Sequence, residues 1–413
     1  MIMRTEHLVL YHNIDQVLTL DGVAKKEGRH TTEADLGIIE DANIVVDTET
    51  NLIEWIGPSK KMPLEYGEIV NAYAGTGELW MPELVECHTH LIHSGDRTHD
   101  YALRAQGKTY QQIAQEGGGI LTTLRSTRET PLPNMVANAQ MELERFQRFG
   151  VGTIEVKSGY GLTLESECRM LEAVRALQHS SSINLVPTFL PAHMTPPEFK
   201  GRSDDYVEAI CKEWIPEVSR LKLASFFDVF IEDGFFNFAQ TKKMLEAALS
   251  FGFKLKLHAD QFTDLGGVGL GVELGATSID HLEQVSEKNI QALAKSKTVG
   301  VLCPGASLFT GAAYAPARKL LDEGARIALS TDFNPGTCPS RNLPLMTTIA
   351  CSQMKMTVPE AIAGITYNAA AALGLENELG TLEEGKLFRV CHLSQTSYES
   401  LPYCFGEFNE SAP

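Results

Sequence analysis

The chain has 413 residues, of which 43% are hydrophobic and 21% are charged. That composition is typical of a globular protein with a large core, and the length exceeds one average domain. The formal net charge of −18 argues against a nucleic-acid partner, because binding to phosphates requires a basic surface. An anionic small molecule would have to be bound by a local cation.

Eight cysteines are spread along the chain without a CxxC pair or a short-loop framework. We therefore expect no disulfide-stapled fold and a reducing, cytoplasmic compartment. The N-terminal stretch interrupts its apolar runs with Glu6, His7 and His12, unlike a signal peptide. No stretch approaches the roughly 18 apolar residues of a membrane span, so we expect no membrane partner.

Both ends of the chain contain short strand-like stretches. Residues 1–75 hold β-branched and aromatic runs that are broken by Asp, Asn and Gly, a pattern that predicts strands. A similar run, LEEGKLFRVCHL, covers residues 382–393. We therefore predict one small β-sandwich domain built from residues 1–75 and 376–413.

Residues 76–375 alternate short apolar runs with longer helix-like stretches. The apolar runs cover residues 77–90, 152–158, 183–193, 226–232, 253–259, 276–282, 298–305 and 325–332. Alternating strands and helices are typical of a parallel sheet, and eight strands close a barrel. The predicted fold class is α/β, with a (β/α)8 TIM-type barrel and the small sandwich beside it.

Chemically active side chains lie at the C-terminal ends of these predicted strands. They are His88, His90, His193, His258, His281 and Asp332. In a barrel the strand ends meet on one face, and active sites form there. Residues that are far apart in sequence can therefore meet around one ion.

Four of these side chains form the predicted metal site: His88, His90, His258 and Asp332. His88 and His90 are two residues apart on one strand, so they point to the same side. Each ligand taken alone could be an ordinary surface, core or turn residue. Together they supply three nitrogens and one oxygen, which is typical of a catalytic zinc or iron site.

We expect one Zn²⁺ or Fe³⁺ ion per chain. A two-metal barrel hydrolase often has a bridging lysine at the end of the fourth strand, but that strand ends in IEDG and Lys157 ends the second. An ion with an open position activates water for hydrolysis. Asp332 is then the candidate proton acceptor, and His281 would polarise a carbonyl or hold an oxyanion. A packing role is the alternative for His281.

Longer motifs resemble the imidazolonepropionases, a family of the amidohydrolase superfamily that acts in histidine degradation. They are PELVECHTHLIHSGDR, GGGI, EVKSGYGL, LPAHMTPPEFKG, KLHADQ, DHLE, LLDEGARIALSTDFNPGT and TLEEGK, in order through about residues 80–386. The resemblance implies that water opens the ring of 4-imidazolone-5-propanoate to give N-formimidoyl-L-glutamate. It also implies the same four metal ligands, with zinc or iron as the metal.

The same resemblance assigns substrate contacts to Arg97, Tyr160, His193, Asn334, Gly336 and Thr337. Arg97 would clamp the propionate carboxylate, for which a planar bidentate fork is well suited. A solvent-facing loop arginine is the alternative. Tyr160 and His193 would contact the ring or its carbonyl, and could otherwise pack at the barrel mouth. The Asn-Pro-Gly segment is also a strong turn signal in its own right.

Gln261 follows His258 by three residues, where related sites often have a glutamate that shuttles protons. An amide can form hydrogen bonds but does not titrate, so proton transfer would fall to Asp332 and His281. We assign Gln261 to the catalytic and substrate-binding set.

Two other functions remain as alternatives. A nucleobase deaminase of the amidohydrolase superfamily would share the ligand set, but such deaminases depend on the glutamate that Gln261 replaces. A non-catalytic scaffold descended from amidohydrolases would be expected to have lost ligands. The resemblance further implies a possible homodimer.

Overall fold

The computed structural model describes residues 6–108, 112–113 and 117–408. Fourteen strands are present in that part of the chain. Their bounds are β1 Leu8–Leu18, β2 Ile38–Asp47, β3 Leu52–Pro58, β4 Ala72–Ala74, β5 Leu79–Pro82, β6 Leu84–Glu86, β7 Val151–Lys157, β8 Asn184–Ala192, β9 Phe226–Ile231, β10 Lys254–Ala259, β11 Ser278–His281, β12 Val299–Leu302, β13 Arg326–Leu329 and β14 Val390–Leu393.

Helices alternate with the strands from β6 onward. The described α-helices are α1 Asp21–Lys25, α2 Thr98–Ala105, α3 Ile120–Glu129, α4 Leu132–Gln147, α5 Leu164–Gln178, α6 Ser203–Ala209, α7 Ile215–Leu221, α8 Phe238–Ser250, α9 Gly267–Glu273, α10 Glu287–Ala294, α11 Pro304–Thr310, α12 Ala317–Asp322, α13 Leu343–Met354, α14 Val358–Ile365, α15 Tyr367–Ala371 and α16 Ser400–Tyr403. A π-helical segment, Ile210–Trp214, joins α6 to α7. Short 3₁₀ helices cover Glu33–Leu36, Ser59–Lys61, Leu64–Glu68 and Pro197–Phe199.

Eight parallel strands, β6 to β13, lie side by side in chain order. The first and last of them meet just beyond their ends, where Thr89 and Phe333 form a parallel bridge. The backbone N–H of His90 donates to the carbonyl of Phe333 at 2.8 Å across the same junction. The predicted (β/α)8 barrel is therefore confirmed.

The predicted strand over residues 77–90 is in fact two strands. β5 pairs with β1 and β14 in a second sheet, whereas β6 pairs with β7 in the barrel. Pro82 ends β5, and the chain passes from one sheet to the other at Glu83. The continuous apolar character of this stretch hid the division, because both strands are buried.

The second sheet contains strands from both ends of the chain, as predicted. Its order is β14-β5-β1-β2-β3, with β4 paired to β1. The exact limits of the two domains, 1–75 with 376–413 and 76–375, stay a prediction. Among the described residues, no helix combines the length and apolar character needed to cross a membrane.

Local sequence explains where the helices of the barrel begin. The Thr163 side chain accepts from the backbone N–H of Ser166 at the start of α5. Capping boxes start α8 and α14, since Asn237 pairs with Gln240 and Thr357 with Glu360. Such caps satisfy backbone N–H groups that have no partner within the helix. These caps set where α5, α8 and α14 begin.

Candidate active site

Three histidine rings and one carboxylate converge at the C-terminal ends of the barrel strands. The Nε2 atoms of His258 and His90 are 3.5 Å apart. Oδ1 of Asp332 lies 3.4 Å from Nε2 of His88 and 3.7 Å from Nε2 of His90. All four side chains are buried. The structure thus brings together the four residues that the sequence predicted as metal ligands.

The outward nitrogens of two of these histidines are held by carboxylates. Nδ1 of His88 is 2.6 Å from Oδ2 of Asp280, and Nδ1 of His258 is 3.1 Å from Oδ1 of Asp228. In such a pair the imidazole donates through Nδ1, which leaves Nε2 with a lone pair.

The remaining nitrogen of His88 tests whether a metal fits. Its Nε2 is buried and has no hydrogen-bond partner in the described part of the chain. A buried nitrogen with no partner is costly unless it binds something. Three imidazoles and a carboxylate are suitable ligands for zinc or iron, so the residues fit a metal ion.

His281, the predicted carbonyl-polarising residue, lies in the same cluster. Ligand atoms of His88, His258 and His281 lie within 4.8 Å of one another, as do those of His88, His90 and Asp332. Burial, reinforced by the charge of His258, lowers the pKa of His281 to about 3. His281 is therefore a neutral imidazole at neutral pH.

The backbone at this rim adopts uncommon conformations. His281 has φ 88°, and Asp332 has φ 54°. Left-handed backbone at residues other than glycine costs on the order of 1–3 kcal/mol each and occurs often at functional sites. The surrounding packing holds both side chains in orientations that an ordinary strand end would not give them.

The turn after Asp332 is organised by one amide. The Asn334 side-chain oxygen accepts from the backbone N–H groups of Gly336 and Thr337 at 2.8 and 2.7 Å. Its Nδ2 donates to the Asp332 carbonyl at 2.7 Å. The Thr337 hydroxyl donates to Oδ2 of Asp332 at 3.2 Å, which directs Oδ1 toward the histidines. Burial raises the pKa of Asp332 to about 7, and a nearby cation would favour its ionised form.

Arg97 is positioned by this turn and by α3. Its Nε donates to the Thr123 hydroxyl at 3.0 Å. A Cβ atom added to Gly336 would lie 2.5 Å from Nη1 of Arg97, so the guanidinium packs directly against the glycine backbone. A side chain at position 336 would collide with the guanidinium in this orientation. Glycine therefore allows the close approach of Arg97 to the turn.

Tyr160 and His193 lie beside His90. The rings of His90 and His193 stack with centroids 4.9 Å apart, and Tyr160 is 5.3 Å from His193. His193 Nδ1 is 3.0 Å from the carbonyl of Gly159, which holds the ring with Nε2 directed away from that loop. Burial lowers the pKa of His193 to about 3, so it is also neutral.

These side chains share one cavity of about 490 Å³. Two of the metal-site histidines, His90 and His258, line its wall. Nine other predicted site residues also line it, and they are Arg97, Tyr160, His193, Gln261, His281, Asp332, Asn334, Gly336 and Thr337. His88 lies deeper, outside the wall. The volume suits a small ligand, since such pockets typically measure about 300–1,000 Å³.

A family model described as Amidohydrolase family matches residues 80–393. The imidazolonepropionase of Bdellovibrio bacteriovorus is 45% identical over 97% of this chain and 94% of its own length. The imidazolonepropionase of Alkaliphilus oremlandii is 40% identical over 95% of this chain and 93% of its own length. The chain belongs to the imidazolonepropionase family of amidohydrolases.

Membership in this family confirms the predicted enzyme class, a hydrolase acting on carbon–nitrogen bonds. The solved structure of a guanine deaminase from E. coli is also similar, with a TM-score of 0.67 and 16% identity over 94% of this chain and 89% of that one. An adenosine deaminase from Xanthomonas campestris with bound zinc has a TM-score of 0.67 and 14% identity, over 96% and 88% of the two chains. At this identity the likeness shows a common fold only.

Several residues of the site were not predicted from the sequence. The cavity wall also includes Asp100, Arg104, Ile113, Phe230, Phe235 and Phe262. Most of them lie in loops and helices beyond the strand ends, and the strand pattern does not predict which of their side chains face the cavity. Asp228 was detectable, because it is the single acidic residue inside an apolar strand, and Asp280 because it directly precedes the predicted site residue His281.

Glu167 is another supporting residue that the sequence analysis missed. Its carboxylate accepts from the backbone N–H groups of Gly159, Gly161 and Leu162 at 2.9, 2.8 and 2.7 Å. Those bonds fix the loop that carries Tyr160. In the sequence Glu167 is one of two acidic residues in the first turn of α5, and the structure shows that this glutamate is buried.

Proposed function

We propose that this chain hydrolyses 4-imidazolone-5-propanoate to N-formimidoyl-L-glutamate, the ring-opening step in L-histidine degradation. The observation that carries the proposal is the cavity in which His90, His258 and Asp332 lie together with Arg97. The two histidines and Asp332 suit a metal-dependent hydrolysis, and Arg97 suits a substrate that carries a carboxylate. The close imidazolonepropionase relatives support the same substrate.

For the metal we propose one Zn²⁺ or Fe³⁺ ion per chain, bound by His88, His90, His258 and Asp332. When bound, such an ion would supply Lewis-acid chemistry that makes water nucleophilic near neutral pH. The bonds of Lys157 to Glu155 and Asp228, both at 2.8 Å, support a single ion, since they occupy this lysine as a cation.

Proton transfer is assigned to Asp332. Its Oδ2 is held by the Thr337 hydroxyl, so the carboxylate keeps one orientation while it accepts a proton from the attacking water and passes it to the leaving nitrogen. His281 is neutral and can donate a hydrogen bond to the substrate carbonyl without a change in charge. His193 is also neutral and donates through Nδ1 to the Gly159 carbonyl, so its Nε2 would accept a hydrogen bond from an N–H group of the substrate ring. Gln261 would bind and orient the ring without titrating.

Arg97 is assigned to the propionate carboxylate. Its Nε is bonded to Thr123, which holds the guanidinium plane, and the two Nη groups of such a plane suit a bidentate pair with a carboxylate. Tyr160, Asn334, Gly336 and Thr337 line the same cavity and would enclose the substrate. Asn334 acts mainly by shaping the turn, because its side chain bonds to that turn's own backbone.

The test is to follow the loss of imidazolone ultraviolet absorbance while measuring metal content on the same sample. We expect close to one zinc or iron per chain, turnover of the substrate, and loss of activity on chelation that returns when the metal is restored. Turnover that survives complete metal removal, or two tightly bound ions, would contradict the proposal. A panel of nucleobases is the specificity control, and we expect no deamination.

The cellular location and the partners of the enzyme are also part of the proposal. No disulfide bond joins the cysteines in the described part of the chain, which supports a reducing cytoplasmic location. The homodimer suggested by the resemblance stays a prediction, as does the absence of nucleic-acid and membrane partners. Sedimentation at several protein concentrations would measure the oligomeric state.

A further inference from the structure

A buried lysine lies at the centre of a group of carboxylates inside the barrel. Nζ of Lys157 donates to Oε1 of Glu155 and to Oδ2 of Asp228, both at 2.8 Å. It also lies 3.5 Å from Oδ2 of Asp280. All four of these side chains are fully buried. Burying so many charges is costly, so the arrangement calls for a functional explanation.

Two of these carboxylates are the ones that hold the predicted metal ligands. Asp228 uses Oδ2 for Lys157 and Oδ1 for Nδ1 of His258, at 3.1 Å. Asp280 presents Oδ2 both to Nδ1 of His88, at 2.6 Å, and to Lys157. One ammonium group therefore links the carboxylates that hold two imidazoles, that of His88 just after β6 and that of His258 in β10.

We propose that Lys157 is a positioning residue that fixes His88 and His258 through Asp280 and Asp228, with their Nε2 atoms directed into the metal site. The inference rests on the proposed ligand set and goes beyond it by assigning the residue that aligns two of those ligands. Lys157 is not part of the cavity wall in the described chain, so it acts without touching the substrate.

The physical reason is the repulsion between two buried carboxylates. Asp228 and Asp280 both approach Lys157, and without a cation between them like charges in a weakly screening interior would move apart. A shift of Asp228 or Asp280 would rotate the imidazole ring that is hydrogen-bonded to it, which is His258 or His88. Burial lowers the pKa of Lys157, but the charges of Asp228, Glu155 and Asp280 outweigh burial and raise that pKa above its ordinary value. Lys157 is therefore a permanent ammonium.

A second buried lysine offers a matched control. Lys256 is equally buried and lies in the same interior. Its Nζ donates to the Ser278 hydroxyl at 2.7 Å and to the Cys87 carbonyl at 3.3 Å. It is 3.8 Å from Asp280 and 3.9 Å from Glu155, beyond hydrogen-bond range of either carboxylate. Lys256→Met deletes the same charge but breaks no bond to Asp228, and the Ser278 hydroxyl, which donates to Oδ1 of Asp280 at 2.6 Å, stays in place.

The experiment measures the Zn²⁺ affinity of the purified full chain by competition with a chromogenic chelator. We expect Lys157→Met to weaken zinc binding about 10- to 100-fold, the usual effect of losing a residue that orients metal ligands. The zinc affinity of Lys256→Met should stay within about threefold of that of the parent, if Lys157 acts by orienting the ligands and its charge alone has little effect. Equal effects of the two substitutions, or no effect of Lys157→Met, would overturn the proposal.

Asp228→Asn completes the design and keeps it decisive if Lys157→Met does not fold. It breaks the same connection but leaves Lys157 paired with Glu155, and we expect a similar loss of zinc affinity. Where Lys157→Met folds, the two losses in the double variant should be clearly less than additive, because both residues act through one chain of contacts. Additive losses, or parent-like binding by Asp228→Asn, would contradict the inference.

Two further readouts separate positioning from general destabilisation. With Co²⁺ in place of Zn²⁺, the visible absorption bands should change in Lys157→Met and not in Lys256→Met, since they report ligand geometry. At saturating zinc, kcat should fall while KM changes little, because Lys157 lies away from the substrate. If the parent itself binds no metal, the proposed ligand set fails first, and that result is distinct from a failure of Lys157 alone.

Discussion

The part of the barrel interior next to the candidate site and the interior of the small sheet bury different kinds of side chain. Near the catalytic rim, the barrel buries charged groups such as Glu155, Lys157 and Asp228, each joined to others by hydrogen bonds. The small sheet packs mainly apolar side chains, and its larger cluster consists of Ile14, Val17, Ala42, Ile44, Val46, Ile53, Trp80 and Leu382. Both regions are equally excluded from water.

This difference separates what stabilises the protein from what makes it active. Apolar burial is favourable at about 25 cal/mol per Å², whereas a buried charge network contributes little net stability even when every bond is made. The barrel accepts that cost where the metal ligands must be held in a fixed geometry. Substitutions in the two interiors should therefore affect different measurements.

The largest expected effect is on catalysis, from Asp332→Asn. The amide keeps the shape and the bond from Thr337 but cannot accept a proton, so kcat should fall about 10²- to 10⁴-fold. The midpoint of urea unfolding should change little, because a buried charge is removed without leaving a cavity. Metal content must be measured in parallel, to separate loss of the base from loss of the ion. Retained turnover would exclude Asp332 as the proton acceptor.

The opposite result is expected in the small sheet. Ile44 is fully buried in the apolar cluster, so Ile44→Ala should lower the free energy of unfolding by about 2–5 kcal/mol. Below the unfolding transition, kcat and KM should match the parent. Ile44→Val is the graded control, with an expected loss of about 0.5–1.5 kcal/mol. A kcat that falls in step with stability would mean that the two regions are not separable in this way.

A smaller effect is expected for substrate binding. Arg97→Ala should raise KM about 10- to 100-fold with a modest change in kcat, because a charge-assisted pair contributes about 1.5–3 kcal/mol. Arg104→Ala is the matched control. Arg104 lines the same cavity, but its guanidinium lies over the rings of Tyr101 and Phe309 at 5.6 and 5.2 Å. If Arg104→Ala raises KM more than Arg97→Ala, the carboxylate clamp is misassigned.

Much of the fold followed from sequence pattern. Eight apolar runs separated by helix-like stretches predicted the barrel, since fully buried parallel strands are continuous in hydrophobicity. The same continuity caused the error at residues 77–90, where β5 and β6 belong to different sheets. Periodicity reports burial and cannot report which sheet a strand joins.

For the site, the strand ends predicted which side chains would meet, and the motifs named the family. His88, His90, His258 and Asp332 do lie together, although their role as ligands stays a prediction. The supporting residues were harder to find. Lys157 was considered only as a bridging ligand and set aside, and its bonds to Glu155 and Asp228 depend on the spatial order of three strands.

The amino-acid sequence by itself determined the barrel, the family and the chemical character of the site, because hydrophobic period and motif spacing are local properties of the chain. Only the tertiary structure decided how the carboxylates, the buried lysine and the left-handed backbone at His281 and Asp332 orient those groups. Hydrogen bonds between residues 71 positions apart, such as that from Lys157 to Asp228, form only when closure of the barrel brings the strands together.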